Sequence, residues 1–213
     1  MSTALYYPGP PPADDDEFGG AIRLLVHHGW VTWANCHFAY NRSLGRVDPQ
    51  SKLYLFCHGH DELPMFETEK GVYWKPGQMA CRMFSDNLSE QHREIEMLVC
   101  NAGLSTTSKA AAAERTKAYN KFMAAQSAET AAKFARVAEK GPGPADFTKK
   151  SQTLPLCAQF VQEMKSLGYN HLRTTAYKEA VAMYQDSGPP YVLLAPDNLP
   201  RRLSTAADKV VWA

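Results

Sequence analysis

Two stretches decide the fold: Lys52-Leu53-Tyr54-Leu55-Phe56-Cys57-His58-Gly59-His60 and Glu94-Ile95-Glu96-Met97-Leu98-Val99-Cys100-Asn101-Ala102-Gly103. Each is a short apolar run that ends in a reactive side chain and is followed by a glycine. A near-continuous apolar run of this length is typical of a strand that is covered on both faces. The two stretches therefore predict core strands that carry a histidine and a cysteine at their ends.

Apolar runs and helical periodicity alternate along the rest of the chain. Strands are predicted at 22–26, 53–56, 95–99, 171–176, 191–195 and 209–212, helices at 78–89, 155–167 and 178–184, and a loop at 196–203. The segment 61–77 is expected to be irregular, except for an edge strand at 73–74. This alternation predicts an α/β fold with a mostly parallel sheet. Sites in such sheets form at the carboxyl ends of the strands. His58 and Cys100 both follow predicted strands at that end.

The chain of 213 residues is long enough for one sizeable domain. Residues 1–20 are rich in Pro, Gly and Asp, and they predict a flexible N-terminal arm. Residues 21–213 are then a single α/β domain. Within it, residues 105–150 contain an alanine run and apolar stripes at helical spacing, which predict a helical insertion. That insertion begins just after the cysteine loop, where either a lid or a packing appendage would lie.

The overall charge and the cysteine content exclude several classes of protein. A net charge of +1 gives no electrostatic basis for nucleic-acid or membrane-surface partners. No apolar run approaches the roughly 18 residues of a membrane span. The N-terminus lacks the layout of a secretory signal, and five cysteines without regular spacing are not a disulfide framework. We expect a cytoplasmic location, or delivery into a host or target cell by a route other than Sec.

The histidine and the cysteine suit nucleophilic catalysis. A cysteine attacks carbonyl carbon as its thiolate, and a neighbouring imidazole can take the proton of the thiol. Gly59 lets the backbone turn tightly and present its N–H to a developing oxyanion, and the N–H of Cys100 is a second candidate donor. Gly103 would keep the cleft free of a side chain. The pattern therefore favours a thiol hydrolase that uses His58 and Cys100.

These motifs resemble those of the caspase-like cysteine peptidases of clan CD. The run 53–59 is similar to their histidine block, and the run 97–103 most resembles the Ala-Cys-Asn-Thr-Gly form of the CHAT-type members. The self-processing protease domains of bacterial toxins belong to the same group. The resemblance covers residues 21–100 and 153–195. It implies a caspase-like three-layer sandwich with a mostly parallel central sheet and a helical insertion after the nucleophile strand.

The resemblance also implies roles for individual residues. Cys100 would be the nucleophile of a cysteine endopeptidase, His58 its general base and acid, and the N–H groups of Gly59 and Cys100 its oxyanion hole. Its substrate would be a protein or peptide, without a cofactor. Toxin-type members are activated by inositol phosphate on a basic surface, and by analogy alone the candidates here are Lys149, Lys150, Arg201 and Arg202. A small chain without a Sec signal would suit a bacterial effector or toxin-like protease.

The chain departs from the family pattern in two places. The caspase form Gln-Ala-Cys-x-Gly is absent because Leu98 and Val99 precede the cysteine, and Cys57 stands where the family often has another small or apolar residue. Two other functions stay open on the residues. Cys57, His58 and His60 could bind zinc in a hydrolase, although no further spaced ligand set completes the site. A non-catalytic α/β module could instead bind a partner through the 105–150 helices.

Overall fold

The computed structural model describes residues 3–13, 16–39, 41, 43–59, 64–69, 72–100, 102–103, 154–178, 180–182, 191–193, 200–202 and 209–213. The predicted insertion at 105–150 lies outside these residues. The described residues include three helices: α1 (Glu17–His27), α2 (Pro76–Ser85) and α3 (Leu156–Ser166). They also include twelve strands: β1 (Thr3–Tyr7), β2 (Cys36–Phe38), β3 (Lys52–Phe56), β4 (His58–Gly59), β5 (Phe66–Glu69), β6 (Val72–Trp74), β7 (Glu94–Leu98), β8 (Arg173–Tyr177), β9 (Ala180–Ala182), β10 (Tyr191–Leu193), β11 (Pro200–Arg202) and β12 (Lys209–Trp212).

A six-stranded sheet forms the centre of the molecule, with strand order β12-β8-β7-β3-β1-β2. Every pairing in it is parallel except that of β12 with β8. This confirms the predicted α/β fold with a mostly parallel central sheet. Two smaller antiparallel sheets accompany it, one of β4, β5 and β6 and one of β9, β10 and β11.

Alternate residues of the strands divide the central sheet into two faces. Leu53 and Leu55 of β3 pack with residues of α2 and α3, such as Met79 and Phe160, in one core cluster, which we call the two-helix face. Tyr54, Phe56 and Leu98 pack with Phe18, Ile22 and Leu25 of α1 in a second cluster, the aromatic face. Helices therefore cover both faces, an arrangement compatible with a three-layer sandwich.

The helices begin and end at recognisable capping residues. The side chain of Asp16 accepts a hydrogen bond from the N–H of Phe18 at 2.9 Å, which caps α1. Pro76 stands in the first turn of α2, and the side chain of Gln78 accepts a hydrogen bond from the N–H of Lys75 at 2.8 Å. Gly168 follows α3 with a φ of 98°, as helix-terminating glycines do.

The predicted N-terminal arm is wrong over residues 3–7. These residues form β1, a central strand that pairs with both β2 and β3, and Leu5, Tyr6 and Tyr7 are almost fully buried. The run Ala4-Leu5-Tyr6-Tyr7 buries enough apolar surface to offset the cost of ordering the backbone. The proline- and glycine-rich residues 8–13 follow β1 as irregular backbone.

Three further predictions of secondary structure are wrong. The run 22–26, predicted as a strand, lies within α1, because Asp16 provides a helix cap and Ile22 and Leu25 share one helical face. The segment predicted as a helix at 178–184 contains β9, and the predicted loop at 196–203 contains β11. Both strands pair with β10, so tertiary pairing decided their conformation.

A buried charged network lies where the aromatic face extends across β7. The carboxylate of Glu96 is within 2.7 Å of the ammonium of Lys52 and 3.5 Å of that of Lys209, and it accepts a hydrogen bond from the hydroxyl of Tyr177. Burial raises the pKa of Glu96, but these hydrogen bonds and charges outweigh burial and hold its pKa below the ordinary value. The carboxylate is therefore ionised inside the fold.

Candidate active site at the carboxyl ends of β3 and β7

His58 and Cys100 follow two strands that lie next to each other. β3 and β7 are parallel, and the last pair in their register joins Phe56 to Leu98. His58 comes two residues after Phe56, and Cys100 comes two residues after Leu98. The structure therefore brings both predicted residues to the same edge of the sheet, side by side.

The side chains of His58 and Cys100 also belong to the same face of the sheet. The ring centroid of His58 lies 4.5 Å from that of Phe18, an aromatic-face residue of α1. The thiol of Cys100 donates a hydrogen bond to the carbonyl oxygen of Val181 at 3.5 Å, and Val181 packs against the aromatic face. Both residues are half-buried, so solvent or a substrate can reach them.

Gly59 lies against the backbone of Cys100. A β-carbon at position 59 would collide with the carbonyl oxygen of Cys100, and it would stand 3.1 Å from both the carbonyl carbon of Cys100 and Cγ1 of Val99. Only glycine fits so close an approach of two backbones. The tight turn predicted at Gly59 is wrong, because Gly59 is an extended residue of β4. Glycine is needed there for a steric reason: it lets the chain after β3 touch the chain after β7.

The loop after Cys100 is fixed at both of its described residues. The carbonyl of Ala102 accepts a hydrogen bond from the N–H of Cys157 at 3.0 Å, at the start of α3. The N–H of Gly103 donates to the carbonyl of Tyr177 at 2.9 Å, and a β-carbon there would stand 3.2 Å from that carbonyl. The cysteine is therefore carried on a loop that α3 and β8 hold in place, and Asn101 lies outside the described residues.

Cys57 differs from Cys100 in both direction and environment. Its side chain is 2% exposed and packs in the cluster of the two-helix face. Burial, and to a smaller extent the nearby charges of Cys100 and Glu67, raise the pKa of Cys57 well above its ordinary value. Cys57 is thus a core thiol that stays protonated.

The geometry counts against the zinc alternative. Cys57 packs on the two-helix face and the neighbouring His58 contacts the aromatic face, so the two side chains diverge. Zinc also binds the thiolate, which burial of Cys57 disfavours. His60 lies outside the described residues, and among those that are described no group of three or more His, Cys, Asp or Glu side chains could hold a metal ion.

The hairpin that flanks the site was not predicted. The segment 61–77, expected to be irregular except for an edge strand at 73–74, contains β5 and β6. His58 is opposite Glu67 in the ladder of β4 with β5, and Glu67 is opposite Tyr73 in the ladder of β5 with β6. The available signal was the content of β-branched and aromatic residues, namely Phe66, Thr68, Val72, Tyr73 and Trp74.

The described residues do not test the basic residues considered for an activator site. Lys149 and Lys150 lie outside the described residues. Arg201 and Arg202 belong to β11, which pairs with β10 in a small sheet. No described helix has the length and apolar character needed to cross a membrane.

Sequence comparison adds no relative that could assign the site. The chain matches no protein-family model and no curated protein. Interpretation of the site therefore depends on its geometry and chemistry.

Proposed function

We propose that the protein is a cysteine endopeptidase of the caspase-like type, with Cys100 as nucleophile and His58 as proton shuttle. The observation that carries the proposal is the placement of both side chains. They follow adjacent parallel strands, lie two residues past a register pair, and belong to the same face of the sheet. A base and a nucleophile carried on neighbouring strand ends are the arrangement that a thiol protease can use.

The first half of the reaction would form a thioester. His58 takes the proton of the Cys100 thiol, and the sulfur attacks the carbonyl carbon of the substrate peptide bond. The carbonyl oxygen becomes an oxyanion, which backbone N–H groups near Gly59 and Cys100 would stabilise. When the intermediate collapses, the C–N bond breaks and His58 gives its proton to the leaving amine.

The second half would release the product. A water molecule gives one proton to His58 while its oxygen attacks the thioester carbon. The C–S bond then breaks, the product leaves as a carboxylic acid, and the proton on His58 returns to the sulfur of Cys100. No cofactor is needed, because the histidine accepts and returns each proton.

In the free protein the thiol donates to the carbonyl of Val181. A productive substrate complex would have to redirect this proton from Val181 toward His58. The position of β9, which contains Val181, would therefore affect how easily the Cys100 thiol loses its proton to His58. An effector or toxin-like role is a further proposal, and it rests on the motif resemblance.

The proposal is tested by cleavage of a mixed peptide library, read by mass spectrometry. Cys100→Ala and His58→Ala should each lower cleavage by at least about 10³-fold, as removal of a catalytic nucleophile or base does. Cys81→Ala is the matched control, because Cys81 is an exposed cysteine of α2, and α2 packs on the two-helix face. Full cleavage by Cys100→Ala would overturn the proposal.

Thiol labelling provides a second readout that needs no known substrate. Iodoacetamide at neutral pH should modify Cys100 faster than the other four cysteines, including the exposed Cys81. The pKa of Cys157, raised by burial, and its position inside the core should leave that residue unmodified in the native protein. Labelling of Cys100 no faster than that of Cys81 would argue against an activated nucleophile.

A further inference from the structure

We propose that Glu67 is the positioning residue of His58: its carboxylate accepts a hydrogen bond from the imidazole and stabilises the protonated ring. This inference rests on the proposed function of His58, although the pairing of the two side chains can be tested separately. Neither the motifs nor the family resemblance assigns a role to Glu67.

The register of the small sheet places Glu67 beside His58. His58 and Glu67 are directly opposite each other in the antiparallel ladder of β4 with β5. Residues opposite each other in such a ladder project from the same face, with β-carbons about 4.5–5.5 Å apart. The glutamate side chain is long enough to bring its carboxylate to the imidazole across that distance.

Buried residues on either side of Glu67 fix its direction in β5. Phe66 is fully buried, and its ring lies 5.9 Å from that of Phe160 on the two-helix face. Thr68, on the other side of Glu67, is also buried, and its carbonyl accepts a hydrogen bond from the hydroxyl of Tyr7 in β1. The strand is therefore fixed on both sides of Glu67, with Glu67 on the face opposite to Phe66.

Tyr73 contacts Glu67 on the side away from His58. Tyr73 of β6 is opposite Glu67, and a hydrogen bond joins the tyrosine hydroxyl to the carboxylate. Burial, followed by the charge and hydrogen bond of Glu67, raises the pKa of Tyr73. His58, Glu67 and Tyr73 thus form a row across three strands, with the carboxylate between a base and a hydroxyl donor.

A shift in the β5–β6 register occurs immediately after this row. The pairing is irregular between Glu67 and Glu69, as at a β-bulge. Such irregularities change the direction of a side chain and are over-represented beside active sites. Here the regular pairing ends just after the residue that faces His58.

The described groups that face His58 indicate what the carboxylate would do. The ring of Phe18 approaches from α1, Cys100 follows the neighbouring strand β7, and Glu67 projects from β5. Cys57 is adjacent in sequence but packs on the other face. A carboxylate on one ring nitrogen would hold the imidazole in the tautomer whose other nitrogen can accept the thiol proton. It would also favour the cation that forms after this transfer.

The test is an NMR titration of the His58 ring in the full-length protein. Glu67→Gln should lower the pH midpoint of His58 by roughly one pH unit, because it removes an adjacent negative charge. Glu90→Gln, which changes an exposed glutamate between α2 and β7, should leave the midpoint unchanged. Tyr73→Phe, which retains the carboxylate, should cause a smaller shift and serves as the second variant if Glu67→Gln unfolds.

Cleavage measurements separate this inference from the proposed function. Glu67→Gln should reduce cleavage about 10- to 100-fold and displace the acid limb of the pH profile, with Glu67→Asp restoring part of the loss. An unchanged His58 midpoint in Glu67→Gln would overturn the role of Glu67 even if Cys100→Ala is inactive. Conversely, full cleavage by Cys100→Ala would defeat the proposed function, while the titration would still decide whether Glu67 and His58 interact.

Discussion

The two faces of the central sheet come from alternate residues of the same strands, but they contain different chemistry. On the two-helix face, Leu53, Leu55 and Cys57 of one strand meet α2 and α3 in an apolar cluster. On the aromatic face, Tyr54 and Phe56 alternate with those residues and are followed by His58. The neighbouring chain segment contributes Glu96 and Cys100 to this face. One face holds the fold together, and the other carries the proposed catalytic pair, His58 and Cys100.

This difference explains how reactive residues persist beside a close-packed core. A buried thiol on the two-helix face has its pKa raised, as Cys57 and Cys157 show, and is chemically inert. On the other face, the thiol of Cys100 is half-buried, and Cys100 and His58 follow adjacent parallel strands. The direction of a side chain from the strand, more than its position along the sequence, decides which kind of cysteine it becomes.

The largest expected effect comes from opening a cavity on the two-helix face. Phe160→Ala should destabilise the protein by about 3–5 kcal/mol, because it removes a fully buried aromatic ring that packs against Phe66. Urea unfolding followed by circular dichroism would measure the loss. A loss of unfolding free energy below about 1 kcal/mol would show that the two-helix face is not tightly packed around Phe160.

A smaller effect is expected from the charged network of the aromatic face. Glu96→Gln should cost about 2–3 kcal/mol at pH 7, since it removes the buried charge that pairs with Lys52 and Lys209 and leaves Lys52 only the half-exposed carboxylate of Glu94 at 3.5 Å. The penalty is reduced because these lysine side chains are 32% and 31% exposed.

The dependence of this effect on pH follows from the lowered pKa of Glu96. A carboxyl group whose pKa is lower in the folded state contributes stability above its unfolded pKa of about 4.3, and loses it as the pH falls through the folded pKa. The difference in unfolding free energy between wild type and Glu96→Gln should therefore shrink between pH 7 and pH 3. A difference that stayed constant over this range would contradict the ionised network.

The smallest expected changes in stability come from two glycines, Gly59 of β4 and Gly20 of α1. Gly59→Ala should cost about 1–2 kcal/mol by overpacking against the Cys100 carbonyl, and should also reduce cleavage. Gly20→Ala in α1, where nothing lies within 4 Å of the added methyl group, should stabilise the protein by about 0.5–1 kcal/mol. Thermal unfolding of both variants gives the comparison. Equal behaviour of the two would show that the contact at Gly59 is unimportant.

Much of the central sheet was predictable because its strands are local apolar runs. The runs 53–56 and 95–99 became β3 and β7 within one residue at each end, and α3 followed from its apolar stripe and from Gly168. The placement of His58 and Cys100 at one sheet edge followed from the same runs. By contrast, the run 22–26 is too short for its periodicity to separate a strand from one face of a helix.

The remaining features depend on contacts between distant residues. β1 was misread because its apolar run is followed by prolines and glycines, and only the neighbouring strands show that it is central. β9 and β11 form by pairing with β10. Glu67 has no distinguishing local pattern, since its relation to His58 exists only in the register of a hairpin.

The central position of β1 has a consequence for the order of folding. Its hydrogen-bonding partners begin at Cys36 on one side and at Lys52 on the other. During synthesis β1 therefore precedes both of its partners, and Leu5, Tyr6 and Tyr7 stay exposed until β2 and β3 have been made. Exposed apolar strands that have not yet paired are segments through which chains aggregate. The acidic and proline-containing residues that follow β1 are well placed to oppose such association while its partners are absent.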